Sequence, residues 1–266
     1  MADYITIDGG TTNTRISLCS GFRVIETLAF NVGAKKSIDN KAILKDTIKN
    51  GIAEILKKND YCENDIDVVL VCGMLTCEFG LLELEHICAP VGMAELHNNI
   101  YKCNMKEICD IPFAFIRGVK TECTTIENSD MMRGEETELM GVFSGDGVYL
   151  FPGSHTKIIL TDNGKIVESK TMLTGEMISA IAKDTILSDA VKLQDFEIVK
   201  EDLFSGFEYA DKLGMSEALF KVRILKNIFH KTDRELYSFF MGVMVYNEVR
   251  YIISKAPKKT VIGGKA

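Results

Sequence analysis

Apolar and polar positions along the first seventy residues fall into short blocks separated by turn residues. Residues 4–7 form an apolar run that reads as a buried strand. Residues 16–19 and 24–30 read as two more, a spacing that suits an antiparallel meander. The period then changes. Leu44, Ile48, Ile52 and Ile55 share one face of a helix running to about Lys58, with Ser37 or Asp39 as its cap. Residues 67–72 are continuously apolar, as in a buried parallel strand, and Gly73-Met74 ends them. The order so far is β-β-β-α-β.

The middle of the chain is less regular. Pro90 and Gly92 mark a loop, residues 93–101 read as a short helix and 111–119 as a strand. Residues 130–133 read as a polar loop. Residues 135–143 read as a helix with acids in its first turn, where the helix dipole favours them. At Gly147 the pattern restarts. A strand over 147–151 leads into a polar turn over 152–157, a return strand over 158–161, an Asn163-Gly164 hairpin signal and a third strand over 166–170. Thr174-Gly175-Glu176 opens a helix to about Leu187. Helices are expected over 195–213 and 216–228. Another follows the capping box that begins at Thr232 and runs to about Lys255, with Leu236, Phe239, Phe240 and Val243 as core positions. A strand over 260–262 and a Gly263-Gly264 turn come last, and the expectation is that a C-terminal helix which would follow them is missing from the sequence. The repetition predicts an α/β fold of two βββαβ lobes, residues 1–143 and 144–266.

Composition narrows the function classes. At 266 residues, 46% hydrophobic and 26% charged, the chain has the balance of a folded protein with room for two lobes. A net charge of −7 opposes non-specific binding to nucleic acid or to an anionic membrane. It also requires a local basic pocket for any anionic ligand. No apolar run is long enough to span a bilayer, and Asp3 and Asp8 interrupt the N-terminus where a secretory leader would be apolar. The eight cysteines lie scattered through apolar segments without a C-x-x-C pair. Reduced thiols in a cytoplasmic protein are therefore expected, not zinc or disulfides.

The chemistry concentrates in the two polar turns. Asp8-Gly9-Gly10-Thr11-Thr12-Asn13-Thr14-Arg15 joins the first two strands. Glycines let backbone N–H groups come close to a ligand, concave N–H arrays bind anions, and an adjacent acid can hold Mg²⁺ directly or through water. A hairpin with a merely polar turn is the alternative. The turn over 152–157 stands at the matching place in the restart. Two such turns facing across a closing cleft suit ATP, because the phosphate chain is held from both sides and water is excluded. Phosphoryl transfer asks for little more than Mg²⁺, contacts on the phosphates and an acid to orient the attacking hydroxyl.

Five segments carry a resemblance. They are Ile5 to Arg15, Cys72-Gly73-Met74, Met132-Arg133-Gly134-Glu135-Glu136-Thr137-Glu138-Leu139, Pro152-Gly153-Ser154-His155-Thr156-Lys157 and Met172-Leu173-Thr174-Gly175-Glu176. In that order the chain resembles the sugar-kinase branch of the actin, hexokinase and heat-shock-protein ATPase superfamily. More narrowly, it resembles the 2-dehydro-3-deoxygalactonokinase family. The first turn marks only the superfamily, whereas the third and fourth segments are far more specific. The family commonly has tryptophan after the first acid. This chain has Gly9 there and no tryptophan anywhere, which leaves the acid and the hydroxyl cluster intact.

The resemblance implies duplicated ribonuclease-H-like (actin-like ATPase) lobes facing across an ATP cleft, with ATP and Mg²⁺ as cofactors. It implies transfer of the γ-phosphoryl group to the 6-hydroxyl of 2-dehydro-3-deoxy-D-galactonate, in galactonate breakdown. A kinase for a related acidic sugar, an exopolyphosphatase-like hydrolase and a non-catalytic ATP-binding sugar sensor are the competing readings. Under it Asp8 orients Mg²⁺, and Gly10, Thr11, Thr12 and Asn13 contact the β- and γ-phosphates. Arg15 either neutralises phosphate or pairs with a strand neighbour. Gly153, Ser154, His155, Thr156 and Lys157 form the opposing turn, with Lys157 as phosphate ligand or solvent-facing charge. Gly263 and Gly264 meet adenosine. Glu135 is the base, with Asp130 and Glu136 behind it, unless these acids only cap their helix. Arg133 grips the substrate carboxylate through two parallel hydrogen bonds. Gly73, Met74, Gly175 and Glu176 line the substrate at strand and helix ends. A homodimer through the late helices is a further expectation.

Overall fold

The computed structural model describes residues 2–38, 40–121 and 124–264. By contacts between Cα atoms the chain divides into two compact units, Met1–Asp146 with Thr161–Ser169, and Gly147–Leu160 with Lys170–Ala266.

The first unit opens with β1 (Asp3–Gly9), β2 (Thr14–Ser20) and β3 (Arg23–Phe30), paired antiparallel as a meander. A short α1 (Ala34–Ser37) and a long α2 (Lys41–Lys58) lead to β4 (Val68–Gly73), which pairs parallel with β1. Alternation in β1 and β2 turns Ile5, Ile7, Ile16 and Leu18 onto one face. There they pack with the α2 stripe Leu44, Ile48, Ile52 and Ile55, all fully buried. Each such side chain contributes about 1.5–3 kcal/mol of transfer free energy, so this layer fixes the direction of β1 and the place where it ends. The cap of α2 differs from expectation. Asn40 supplies it, its side-chain oxygen accepting from Ala42 N at 3.0 Å. Ser37 lies inside α1, its hydroxyl donating to Ala34 O, and Asp39 lies outside the described residues.

After β4 come β5 (Ile87–Cys88), α3 (Met93–Asn98), β6 (Tyr101–Asn104) and β7 (Pro112–Phe115). The main sheet has the order β3-β2-β1-β4-β7-β6, with β1, β4 and β7 parallel. The single strand expected over 111–119 is two. The chain leaves β7, passes through Arg117-Gly118 and enters β8 (Val119–Thr121) in a separate sheet with β5 and β9 (Asp130–Met132). Gly118 permits the change of sheet, since a Cβ there would stand 2.4 Å from Met132 O. The polar loop expected over 130–133 is therefore mostly strand, and Met132 is buried opposite Val119. Helix α4 (Glu135–Val142) follows.

The second sheet is built from β10 (Gly147–Phe151), β11 (Thr156–Asp162), β12 (Lys165–Met172) and β13 (Thr260–Ile262). Its order, β12-β11-β10-β13, repeats β3-β2-β1-β4, with β13 parallel to β10 as β4 is to β1. Asn163 and Gly164 both have positive φ, as a two-residue hairpin turn requires.

Helices α5 (Thr174–Asp184), α6 (Lys200–Leu213), α7 (Met215–Asn227), α8 (Asp233–Met244) and α9 (Tyr246–Ser254) come between β12 and β13. Their core holds Leu236, Phe239, Phe240 and Val243 from α8. Two expectations are corrected. Helix α6 starts at Lys200, not near 195, because Val199 is extended and its N–H donates to Ser238 Oγ. The helix behind Thr232 breaks at Val245, which leaves helical dihedrals. In α9 the Tyr246 hydroxyl then donates to Asp211 Oδ1 and accepts from Arg250. Among the described residues no helix is long and apolar enough to cross a membrane.

Candidate active site

The first turn closes when Gly10 N donates to Asn13 O at 2.8 Å. It is backed by a segment that sequence reasoning passed over. Ala34 N donates to Gly10 O and Lys35 N to Thr11 O, while the buried Thr14 hydroxyl donates to Val32 O. Thr11, Thr12 and Asn13 are left exposed. Gly33, a small residue shortly after the third strand, was the available signal. Asp8 and Arg15 face each other across β1 and β2. Arg15 Nη1 donates to Asp8 Oδ2 at 3.0 Å, with both side chains about half exposed. Arg15 is thus the partner of the candidate metal acid.

Three glycines bring the end of β4 and the start of α4 against the end of β1. Gly73 has φ 75°, and a Cβ there would lie 2.4 Å from Gly9 O. Gly134, with φ 109°, stands against Gly73 Cα. Both conformations are ones that residues with a Cβ rarely adopt. Gly9 itself has no room for a larger residue. Its Cβ would meet Leu75 Cγ at 2.3 Å, and Leu75 is fully buried. Leu75 therefore fills the space beside the first turn that a tryptophan at position 9 would need.

The acids of α4 separate by burial. Glu135 is half-buried and its Oε2 accepts from Arg133 N at 3.1 Å. Glu136 is fully buried, and both its oxygens accept from Gly134 N, at 2.9 and 2.8 Å. Loss of solvent outweighs those bonds and pushes its carboxyl up to about 7. Glu136, expected as a reserve base, instead caps its own helix out of reach of solvent. Asp130, the other reserve, sits in β9 with Oδ2 accepting from Ser169 Oγ at 2.8 Å. Cys72, at the end of β4, has its thiol pushed up by burial and by Asp8 and Glu136, so it stays protonated.

Glu136 makes stability depend on pH. Its folded pKa of about 7 lies above the ordinary 4.5. Folding thus takes up a proton between these values, and the stabilisation is complete below pH 4.5 and lost as pH rises through 7. About 3 kcal/mol of stability is expected to disappear over that window. Urea unfolding at pH 5 and pH 8 should show the loss in the wild type and a flatter profile in Glu136→Gln. Equal slopes in the two proteins would refute it.

Arg133 is not an open grip. Its Nη1 donates to Thr76 Oγ1 and its Nη2 to Leu84 O, both at 2.8 Å, and Nη2 lies 3.4 Å from His86 Nδ1. The two-bond contact expected with a substrate carboxylate is largely committed to neutral acceptors of the protein. Met74 begins a 3₁₀ turn, Met74–Thr76, that carries Thr76 to Arg133.

In the second unit the exposed part of the turn is Pro152, Gly153, Ser154 and His155. The N-terminus of α5 holds it. Glu176 N donates to Ser154 O at 3.0 Å, and His155 Nε2 lies 3.2 Å from Glu176 Oε1. Thr156 and Lys157, expected in the turn, are buried in β11 instead, and Lys157 Nζ donates to Thr171 Oγ1. The Thr174 hydroxyl donates to Glu248 Oε1, anchoring α5 to α9 from behind. Gly263 and Gly264 follow β13, and Gly263 N donates to Leu150 O at 2.8 Å.

Asp8 fits the needs of a nucleotide-borne Mg²⁺, which uses one or two carboxylates and takes its other ligands from water and phosphate. Its carboxylate is half exposed and stands beside a turn rich in hydroxyls. Among the described residues no group of three or more His, Cys, Asp or Glu could hold a metal ion by itself.

The family model described as 2-keto-3-deoxy-galactonokinase matches residues 8–266. The chain belongs to the 2-keto-3-deoxy-galactonokinase family. A 2-dehydro-3-deoxygalactonokinase of Escherichia coli (strain K12) is 24% identical over 251 residues, which are 93% of this chain and 80% of that protein. A Rhizobium meliloti (strain 1021) protein, named as a probable 2-dehydro-3-deoxygalactonokinase, is 30% identical over 131 residues. That match spans 48% of this chain and 41% of the relative's length. A crystal structure from Sinorhizobium meliloti carrying the same kinase name superimposes with a TM-score of 0.79 at 20% identity, over 99% of this chain and 84% of the other. The chain therefore has the duplicated ribonuclease-H-like fold that its two matching sheet orders display. The family is named for a kinase, a phosphotransferase of carbohydrate metabolism.

Proposed function

We propose that this chain transfers the γ-phosphoryl group of ATP to the 6-hydroxyl of 2-dehydro-3-deoxy-D-galactonate. Asp8 carries the reading. It is a half-exposed carboxylate at the carboxyl end of β1, beside a glycine turn, in a chain whose family is named for this reaction. Exposed Thr11, Thr12 and Asn13 offer N–H and hydroxyl donors to phosphate oxygens, and Gly153, Ser154 and His155 offer a second set. In this reading the two turns hold the phosphate chain from two sides, and Gly263-Gly264 meets the adenosine. Mg²⁺, held through Asp8, would neutralise developing charge on the transferred group. Arg15 keeps the Asp8 carboxylate oriented, and Glu135 receives the proton of the attacking hydroxyl. Cytoplasmic residence belongs to the same proposal. So does a homodimer through late helices that expose Phe204 and Phe220.

The test is ADP release from ATP and Mg²⁺ with a panel of 2-keto-3-deoxy acids and neutral sugars. Stimulation by the galactonate-derived acid alone is expected. Stimulation by none, with phosphate released from polyphosphate, would favour a hydrolase, and preference for the gluconate-derived epimer would correct the substrate. In the same assay Glu135→Gln is expected to lower kcat about a hundredfold, the lower range for a lost general base, with ATP affinity little changed. Near-normal turnover would remove Glu135 from the mechanism.

A further inference from the structure

β1, β4 and β7 run parallel, so Asp8, Gly73 and Arg117 stand at or just beyond their carboxyl ends. This is the edge of an α/β sheet where ligands bind. Ile116 N still donates to Val71 O in the sheet, and Arg117 is the next residue. Arg117 Nε is buried and meets no hydrogen-bond partner among the described residues. None of the ion pairs among the described residues includes Arg117. This is so in a chain with 38 acidic residues. A buried guanidinium N–H without an acceptor costs free energy. An anionic ligand would offset that cost.

The next residue shows where this segment lies. A Cβ on Gly118 would stand 2.7 Å from Arg133 Cγ and 2.8 Å from His86 Cδ2. The backbone after Arg117 is thus packed on the side chain of Arg133, whose own donors are taken by Thr76 and Leu84. Arg133 also lacks a carboxylate partner among the described residues.

We propose that Arg117 is the carboxylate-binding residue of the acid-sugar site. Its Nε and one Nη donate two parallel hydrogen bonds to the C1 carboxylate of a 2-keto sugar acid, with the committed Arg133 adding positive charge nearby. The proposal rests on the kinase reading above and moves the anion grip from Arg133 to Arg117.

The experiment compares wild type, Arg117→Met and Arg117→Lys in ADP-release kinetics, with thermal melts of the ligand-free proteins. The probes are 2-dehydro-3-deoxy-D-galactonate and its neutral C1 amide. In Arg117→Met the KM for the acid is expected to rise roughly 10- to 100-fold, the worth of charge-assisted hydrogen bonds. The KM for ATP should stay within about twofold, and the ligand-free melting temperature should be unchanged or higher because an unpaired buried donor is gone. The wild type's preference for acid over amide should vanish in Arg117→Met and return in part in Arg117→Lys. A purely structural Arg117 would instead lower the melting temperature and disturb the KM for both substrates. If the wild type turns over the acid and Arg117→Met does so with an unchanged KM, the Arg117 assignment is overturned and the kinase reading stands. If the wild type turns over no sugar acid, the kinase reading fails and this assignment falls with it.

Discussion

Asp8→Asn is expected to lower kcat about a thousandfold while leaving the fold in place. The side chain keeps its shape but loses the charge that orients the cation and, through Arg15, the local field beside the phosphates. Removing one preorganised electrostatic contact of this kind costs about 10²–10³ in turnover, and loss of the metal acid belongs at the upper end. Stability should hardly move. The Asp8–Arg15 pair is about half exposed on both sides, and exposed pairs contribute only about 0–1 kcal/mol. A large fall in kcat with an unchanged melting curve separates this residue from the buried layer beneath it, where Ile5 and Ile7 would show the reverse. Turnover within tenfold of wild type would remove Asp8 from the reaction centre.

The position of Asp8 was legible because it depends on local pattern. An apolar run ending on an acid, two glycines and a second apolar run define a strand, a turn and a strand without reference to the rest of the chain. The same holds for the α2 stripe, for Asn163-Gly164, and for the restart at Gly147, which the matching sheet orders bear out. What escaped depends on packing between distant segments. Glu135 and Glu136 are adjacent acids at one helix start, yet the fold buries one and leaves the other half open. Thr156 and Lys157 read as turn residues because they are polar, yet β11 begins at Thr156 and takes both inward. Arg133 reads as a free grip in the sequence, yet Thr76 and Leu84, far back in the chain, fold against it and take its donors. Arg117 falls inside a run that reads as one continuous strand. The division of that run between two sheets puts it just beyond the carboxyl end of β7. The backing of the first turn by Ala34 and Lys35 is likewise backbone hydrogen bonding, to which side-chain pattern is blind.

Gly175→Ala is expected to raise the KM for ATP about a hundredfold. A Cβ at Gly175 would stand 2.1 Å from Gly153 O and 2.9 Å from Ser154 Cα, all of it backbone. No rotamer relieves this overlap, so either α5 or the second turn must shift by about 1 Å. Helix α5 is the less free of the two, because the Thr174 hydroxyl ties its first residue to the buried Glu248 on α9. The turn therefore gives way, and its exposed Gly153, Ser154 and His155 move with it. A displacement of about 1 Å in a positioning element costs about 10²-fold. Overpacking should also lower stability by about 1–3 kcal/mol. Gly153→Ala is the matched control for stability. A Cβ there meets only His155 O at 3.5 Å, an ordinary contact, so its melting curve should stay close to wild type. The pair of variants places the same added methyl group on the two sides of one contact. Only the side that pushes on backbone should lower stability, and a Gly175→Ala enzyme with an unchanged KM for ATP would show that this turn does not hold the phosphates.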